Sequence, residues 1–304
     1  MKPIYFSARP EIIHSLFHPL PEFAKEAKIR CQTVHDIIPL LFDDAALVRK
    51  VFQPIADSAR EADLVITVSE STRRDLLKLG GFQEENVVTI HLAADPCFRP
   101  ASEAAVEEIR RRLAIPDGVP YFLSVSTLEP RKNFPFLLKA FQRLISLPDT
   151  PPCRLILIGK TGWDAAAHDE IHRLLDELKE HVGYPGFVTD EDLRTLYTGA
   201  EMFLFPSLYE GFGLPLLESM ACGTPVISSN TSSMPEVTGD AGILLPPMDE
   251  GAWVEAMRHA LQRSSEQKQE ASRRALDRAS EFSWEKTAEK TLEAYRMCLD
   301  RSKK

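Results

Sequence analysis

Residues 206–223 read PSLYEGFGLPLLESMACG and hold two carboxylates, two glycines and a proline at a spacing that could bind an anion and its attached polar group. An apolar run that reads as a strand stops at Pro206. Gly211 and Gly213 let the backbone approach a ligand closely or take positive φ. Pro215 suits the first turn of a helix. Neither Gly213 nor Leu214 can cap that helix with a side chain, so its first N–H groups are left for a phosphate. Glu210 lies on the loop and Glu218 one turn into the helix. An unbroken helix would set them about 80° apart, and the intervening loop lets them converge. The bland alternative is a glycine turn with two solvated glutamates, which is usual for a single Glu. The spacing, paired glycines and proline together favour a site.

A second cluster, LEPRKN, spans residues 128–133. Arg131 and Lys132 directly follow an apolar run. Two adjacent cations there could neutralise a leaving diphosphate through charge-assisted hydrogen bonds, without a metal. The default for such a pair is a solvated surface position. A third cluster, VHDIIP, spans residues 34–39 and puts His35 at a strand end. A lone histidine is more often structural than catalytic. Asp36 beside it could orient the ring or cap a turn.

These clusters need elements to position them. Short apolar runs alternate with amphipathic stretches along the chain. The pattern predicts strands at Ile12–Phe17, Cys31–Val34, Leu64–Val68, Val87–Ile90, Tyr121–Ser126, Arg154–Ile158, Met202–Pro206 and Pro225–Ser228. It predicts helices at Arg49–Arg60, Ser71–Leu79, Ser102–Leu113, Phe134–Leu147, Ala165–Lys179, Glu191–Gly199, Pro215–Cys222 and Gly251–Arg263, with a further amphipathic segment at Phe282–Leu299. Strand–helix–strand alternation implies α/β architecture with parallel sheets covered by helices. The turn-rich stretch Ile115–Pro120 is the predicted domain boundary. Ligands of open parallel sheets bind beyond the carboxyl ends of the strands. His35, Asp36, Ser69, Glu70, Thr127–Asn133, Gly159, Lys160, Ser207–Gly213, Ser229 and Asn230 all follow predicted strands, which gathers polar, charged and glycine residues at one edge of both sheets.

At 304 residues the chain is long enough for two domains. A net charge of −9 argues against a general nucleic-acid binder, which needs a basic excess. The five cysteines are scattered and lack metal-ligand spacing, the pattern of reduced thiols in a cytoplasmic protein. No apolar run approaches transmembrane length, and residues 1–10 lack a signal-peptide core, so contact with the inner face of a membrane would be peripheral. Residues 157–163 contain Gly-Lys-Thr, but a phosphate-binding loop of the P-loop type needs a glycine where Arg154 stands. Asp190-Glu191-Asp192 reads better as a helix start, capped by Thr189 or Asp190, than as a metal motif. No G-x-G-x-x-G occurs, which disfavours a nicotinamide enzyme.

Glu210 and Glu218 match the E-x7-E motif of glycosyltransferase family 4, the group 1 glycosyltransferases. The resemblance extends through Ser228–Asn230, Met234–Val237 and Gly239–Gly242, and covers nearly all of residues 121–263. It implies the retaining GT-B architecture, with two facing Rossmann-like domains. The expected division is 1–118 as an acceptor-side domain, joined by the C-terminal helix of 282–304 acting as a hinge, and 119–281 as the nucleotide-sugar-binding domain. By resemblance, Glu218 binds the donor ribose, Glu210 and His35 hold the transferred sugar, and Lys132, with Arg131, meets the diphosphate. Ser126, Thr127, Gly159, Lys160 and the Gly211, Phe212, Gly213 and Leu214 backbone complete the donor site. Ser126 and Thr127 stand where the commonest form of the motif has glycine then arginine. The implied activity is transfer of a hexose, with mannose from GDP-mannose preferred, to a glycan or lipid-linked acceptor in cell-surface polysaccharide synthesis. No metal or other cofactor is expected. A sugar-nucleotide epimerase and a donor-binding subunit are the rival readings.

The N-terminal half departs from the family. Only 34 residues precede His35 and no glycine precedes Gly80, which leads to the expectation that several βα units of the family domain are missing. An N-terminally truncated form is one expectation, a partner chain or self-association completing the sheet a second, and a reduced domain with an exposed sheet edge a third.

Overall fold

The computed structural model describes residues 10–42, 46–160 and 165–302. Along the chain come β1 (Ile12–Ser15), β2 (Ile29–Val34), α1 (Ile38–Phe42), α2 (Ala46–Arg60), β3 (Leu64–Thr67), α3 (Glu70–Leu79) and β4 (Val87–Thr89). Then follow α4 (Glu103–Arg112), β5 (Tyr121–Val125), α5 (Phe134–Ile145), β6 (Arg154–Ile158), α6 (Ala165–Glu177), β7 (Val182–Gly186), α7 (Asp190–Gly199), β8 (Met202–Phe205) and α8 (Leu214–Ala221). The chain continues with β9 (Val226–Ser229), α9 (Met234–Thr238), β10 (Ile243–Leu245), α10 (Glu250–Leu261), α11 (Ser265–Ser280) and α12 (Trp284–Arg301). Among the described residues no helix is long and apolar enough to cross a membrane. Residues 1–9, and Thr161–Trp163 of the Gly-Lys-Thr segment, lie outside the described residues.

Two compact units form. The first contains Met1–Ala93, Glu210–Phe212 and Phe282–Lys304, and the second Ala94–Tyr209 and Gly213–Glu281. The division falls at Ala93, not in the turn-rich 115–120 stretch, and residues 94–118 therefore leave the N-terminal domain predicted for 1–118. Contacts made by this segment explain the difference. The Ala101 N–H donates to Thr198 Oγ1 at 3.0 Å, Arg110 lies over the Tyr121 ring at 5.6 Å, and Arg112 pairs with Asp192. Proline and glycine mark a turn there, but α4 packs against α7 on the near side of it.

The first unit is built on a parallel four-stranded sheet in the order β1-β2-β3-β4. Every residue of β3 is buried, as a strand covered on both faces requires. Ser69 caps α3 by accepting from the Thr72 N–H. The predicted C-terminal helix is α12, and it belongs to this unit. Cys31, Leu64, Ile66, Ile90 and Ala294 form a shared core there, with Tyr295 and Cys298 packed against it. His14 on β1 ties the layers together. Its Nδ1 lies 2.5 Å from the Tyr295 hydroxyl and its Nε2 2.8 Å from Thr33 Oγ1.

The second unit carries a parallel six-stranded sheet in the order β10-β9-β8-β5-β6-β7. The chain runs outward from β5 through β6 to β7, then returns to the other side of β5 to add β8, β9 and β10. Phe122, Leu155, Leu157, Phe141 and Trp253 sit at less than 1% exposure in the core on one face. Thr189 caps α7 by accepting from the Asp192 N–H, which matches the helix-start reading of the acidic triplet. Strands β7 and β10 and helices α1, α9 and α11 do not stand out in the sequence pattern. The β7 segment, VGYPG, carries the residues that weaken strands, and it survives as a border strand. Only Ala275 and Ala279 are buried along α11, so it has almost no apolar stripe, although its Ser264–Gln267 capping box was a readable start signal.

The β5–β6 ladder continues past both strand ends, with the Ser126 N–H donating to the Ile158 carbonyl at 2.9 Å. A Cβ built on Gly159 would stand 1.8 Å from the Ser126 carbonyl oxygen. Only glycine fits without moving backbone. Gly159→Ala is expected to cost about 1–3 kcal/mol, as forced overpacking does, and urea unfolding of variant and parent measures it; an unchanged midpoint would contradict the close approach.

Burial lowers the His14 pKa from 6.5 to about 4. Unfolded, His14 takes its proton near 6.5; folded, it takes it near 4. Between these values the unfolded chain binds more protons, so stability is full above 6.5 and falls as the pH drops towards 4. Urea unfolding at pH 7 and pH 5 is expected to show a smaller loss for His14→Gln than for the parent.

Candidate active site

The order of the six-stranded sheet reverses at β5 and β8, which are hydrogen-bonded neighbours. A crevice opens at such a switch point beyond the carboxyl ends of the two strands. The segments that leave these ends within this unit are 126–133 and 206–209, which begin the two motif loops. They are joined directly to one another. The Leu208 N–H donates to the Arg131 carbonyl at 2.7 Å, and Arg131 Nη1 donates to the Tyr209 carbonyl at 3.0 Å. Asn133, in the left-handed region at φ 60°, donates from Nδ2 to the carbonyls of Pro206 at 3.2 Å and Pro247 at 3.0 Å.

Lys132 is buried at 9% exposure, with Nζ 5.7 Å from the Phe205 ring centroid. A buried lysine is uncommon, and the aromatic face supplies part of its compensation. Arg131 Nε lies 3.3 Å from Glu129 Oε2, and its Nη1 secures the loop backbone at Tyr209. Thr127 Oγ1 donates to the other Glu129 oxygen at 3.0 Å. Lys160 holds Nζ 4.4 Å from the Phe187 ring centroid, and the Gly159 carbonyl accepts from the Tyr184 hydroxyl.

Helix α8 starts as its sequence requires. Gly213, at φ 107°, occupies the cap position, no side chain caps the helix, and Pro215 falls in its first turn. Its opening N–H groups and dipole therefore present a positive end at the switch point. Buried hydroxyls of Ser126, Ser207 and Ser229, at the ends of the adjacent strands β5, β8 and β9, have no hydrogen-bond partner among the described residues. Buried polar groups are nearly always satisfied, so this edge is suited to polar atoms of a ligand.

Glu218, half-buried on α8, accepts from the Tyr197 hydroxyl through Oε2 at 3.2 Å. Its pKa is raised to about 7, first by burial and then by the charges of Asp190 and Asp95; the Tyr197 bond works the other way. Tyr197 was not among the sequence-predicted site residues, because it reads as an apolar helix position. Among the described residues no group of three or more His, Cys, Asp and Glu side chains could hold a metal.

Glu210, Gly211, Phe212 and His35 are placed in the first unit. The Gly211 carbonyl accepts from Ser69 Oγ at 2.6 Å and from Thr72 Oγ1 at 3.2 Å. A Cβ on Gly211 would meet the His35 carbonyl oxygen at 2.4 Å, so the tight fit demands glycine. Phe212 packs with the rings of His91 and Phe282. Glu210 is buried at 7% exposure. His35 Nε2 lies 3.0 Å from the Leu16 carbonyl, which can only accept, so Nε2 carries the proton. Asp36 Oδ1 accepts from the Ile38 N–H and caps the turn into α1. The sequence-predicted residues thus form two sets: His35 with Glu210–Phe212 in the first unit, and Ser126, Thr127, Arg131, Lys132, Gly159, Lys160, Gly213, Leu214 and Glu218 in the second.

Comparison with known proteins agrees with this geometry. The family model described as "Glycosyl transferases group 1" matches residues 105–278, more than half of the chain. O-antigen chain mannosyltransferase B of Escherichia coli is 37% identical over 253 residues, covering 82% of this chain and 65% of its own length. The E. coli serotype-specific mannosyltransferase WbdA is 30% identical over 285 residues, covering 88% of this chain and 33% of its own length. The chain therefore spans about two thirds or less of these curated relatives. Among solved structures, Anabaena HepE in complex with UDP and glucose superposes with a TM-score of 0.76 at 22% identity, covering 88% of this chain and 72% of that one. With two parallel-sheet α/β units of GT-B type and a family match across the switch-point motifs, the chain belongs to the group 1 glycosyl transferases.

Proposed function

We propose that the protein is a retaining hexosyltransferase that moves mannose from GDP-mannose to a hydroxyl of a glycan or lipid-linked acceptor. The observation that carries this reading is the switch point of the second unit, where a buried lysine and an uncapped helix N-terminus meet on two cross-linked loops. When the bond between the sugar and the diphosphate breaks, negative charge gathers on the departing diphosphate. Lys132 and the first N–H groups of α8 stabilise that charge, a form of catalysis that needs no metal. Arg131 keeps the loop in place. Glu218 takes the ribose hydroxyls, and Glu210 and His35 hold the sugar. Ser126, Ser207 and Ser229 supply further polar partners at the same edge. The mannosyl preference rests on the mannosyltransferase relatives.

A second reading has some support in the first sheet. There β1 is the border strand and, among the described residues, pairs only with β2. A chain that binds donor but transfers sugar only when another chain adds to that edge would fit this border.

Thermal unfolding with GDP-mannose, UDP-glucose, UDP-N-acetylglucosamine and dTDP-rhamnose, each with EDTA, separates the readings. GDP-mannose at 100 times its Kd is expected to add about 2.7 kcal/mol of stability. Lys132→Ala and Glu218→Ala should lose that shift. A shift with a UDP sugar alone would replace the donor, and no shift with any donor would overturn the reading. Transfer to a glycan acceptor, followed by product analysis, is expected to persist in EDTA and to fall about 10²–10³-fold in Lys132→Ala, as when one donor to a developing anion is removed. Binding without transfer would favour the two-chain reading, and conversion of donor without acceptor would indicate an epimerase.

A further inference from the structure

We propose that Tyr197 is a positioning residue: its buried hydroxyl fixes the Glu218 carboxylate in the orientation and charge state that accept the ribose hydroxyls of the donor. The proposal rests on the donor reading above. Tyr197 lies on α7 at 0% exposure. Its ring packs in T-shaped contact with Phe98, 5.9 Å away, and with Phe203, 5.2 Å away. Its own carbonyl accepts from Thr224 Oγ1, just beyond the end of α8. The hydroxyl therefore cannot follow a moving partner, and Glu218 must come to it, at 3.2 Å. A fully buried phenol needs a hydrogen-bond partner for its hydroxyl. The partner it has is one oxygen of Glu218. That leaves the second carboxylate oxygen for a ligand.

The charge state depends on what surrounds the carboxyl. Asp190 on α7 and Asp95 in the loop before α4 both disfavour a further negative charge, and burial does so more strongly. Cys97 in the same loop and Cys222 at the end of α8 also face Glu218, and both thiols are pushed up, chiefly by burial. Arg194 acts on Cys222. Tyr197 keeps its proton, because burial and then Glu218 hold its pKa well above that of an ordinary phenol. Among these groups the Tyr197 hydroxyl is the one that favours the ionised carboxylate. A carboxylate accepts two hydroxyl hydrogens at once, whereas a protonated carboxyl must give up part of that capacity.

The test is Tyr197→Phe, which keeps the ring and removes the hydroxyl, so the thermal midpoint should stay close to that of the parent. Carboxyl NMR of the full chain carrying isotope-labelled glutamate, with the Glu218 signal assigned by its loss in Glu218→Gln, reads the titration without any ligand. The Glu218 midpoint is expected near 7 in the parent and about one unit higher in Tyr197→Phe. GDP-mannose binding should then weaken about eightfold at pH 6.5 and hardly at all near pH 9. In a Glu218→Gln background, Tyr197→Phe should add no further loss. An unchanged Glu218 midpoint, or the same loss of affinity at every pH, would overturn the proposal and leave Tyr197 a packing residue. Failure of the parent to bind any nucleotide sugar would overturn the donor reading separately, because the ligand-free titration still decides the Tyr197 contact.

Discussion

The pairing of β5 with β8 is the constraint on which the second unit's site depends. Neighbouring parallel strands end at the same edge of a sheet, so whatever sequence follows them is brought together without either loop having to be long. Here the strand order reverses between them. Residues 126–133 and 206–209 then lie beside each other and are tied through backbone and side-chain hydrogen bonds. The two loops become one cross-linked rim. Lys132 can be buried because this rim fixes its backbone, and α8 can start without a side-chain cap because Gly213 and Pro215 set its first turn.

The E-x7-E spacing has a different physical meaning from the one helix geometry suggests. About 80° of helical rotation separates positions eight apart, and a converging loop was the natural way to bring the two carboxylates together. Instead the chain leaves the second unit after Tyr209 and returns at Gly213, so that Glu210–Phe212 is part of the first. Gly211 is needed where its backbone meets the His35 carbonyl and the hydroxyls of Ser69 and Thr72. The seven intervening residues therefore serve to place one glutamate in each unit. His35 and Glu210, far apart in sequence, share a body, while Glu210 and Glu218 do not.

Much of this was legible before any coordinates. Eight strands and nine helices follow apolar periods that burial on both faces of a parallel sheet imposes, and their ends agree within a few residues because capping residues such as Ser69, Thr189 and Ser283 are explicit. The motif loops were legible for the same reason: glycine, proline and charge interrupt apolar runs. Three things were not. Border strands such as β7 and β10 need little hydrophobicity, so VGYPG reads as a turn. The unit boundary depends on α4 packing against α7, a tertiary contact that turn residues cannot announce. Tyr197 looked like any apolar helix position, because only the fold reveals that its hydroxyl ends at a carboxylate.

On the proposed reading, an acidic chain that takes a doubly charged diphosphate would face an electrostatic conflict, since its net charge of −9 opposes the ligand at long range. The second unit would meet that conflict locally. At the switch point the positive charge lies on Lys132 and on backbone N–H groups, inside the rim, where water screens them least. The carboxylate on the same helix is the natural threat to that field. Glu218 sits a turn and more from the helix start, and burial raises its pKa to about 7, so near neutrality it carries less than its full charge. A site of this kind separates its two tasks by depth along one helix. On the proposed reading the N-terminal N–H groups would face the anion, and the carboxyl a turn later would face hydroxyls that need an acceptor. Had Glu218 been fully ionised and placed in the first turn, it would have occupied the N–H groups itself and turned the anion away.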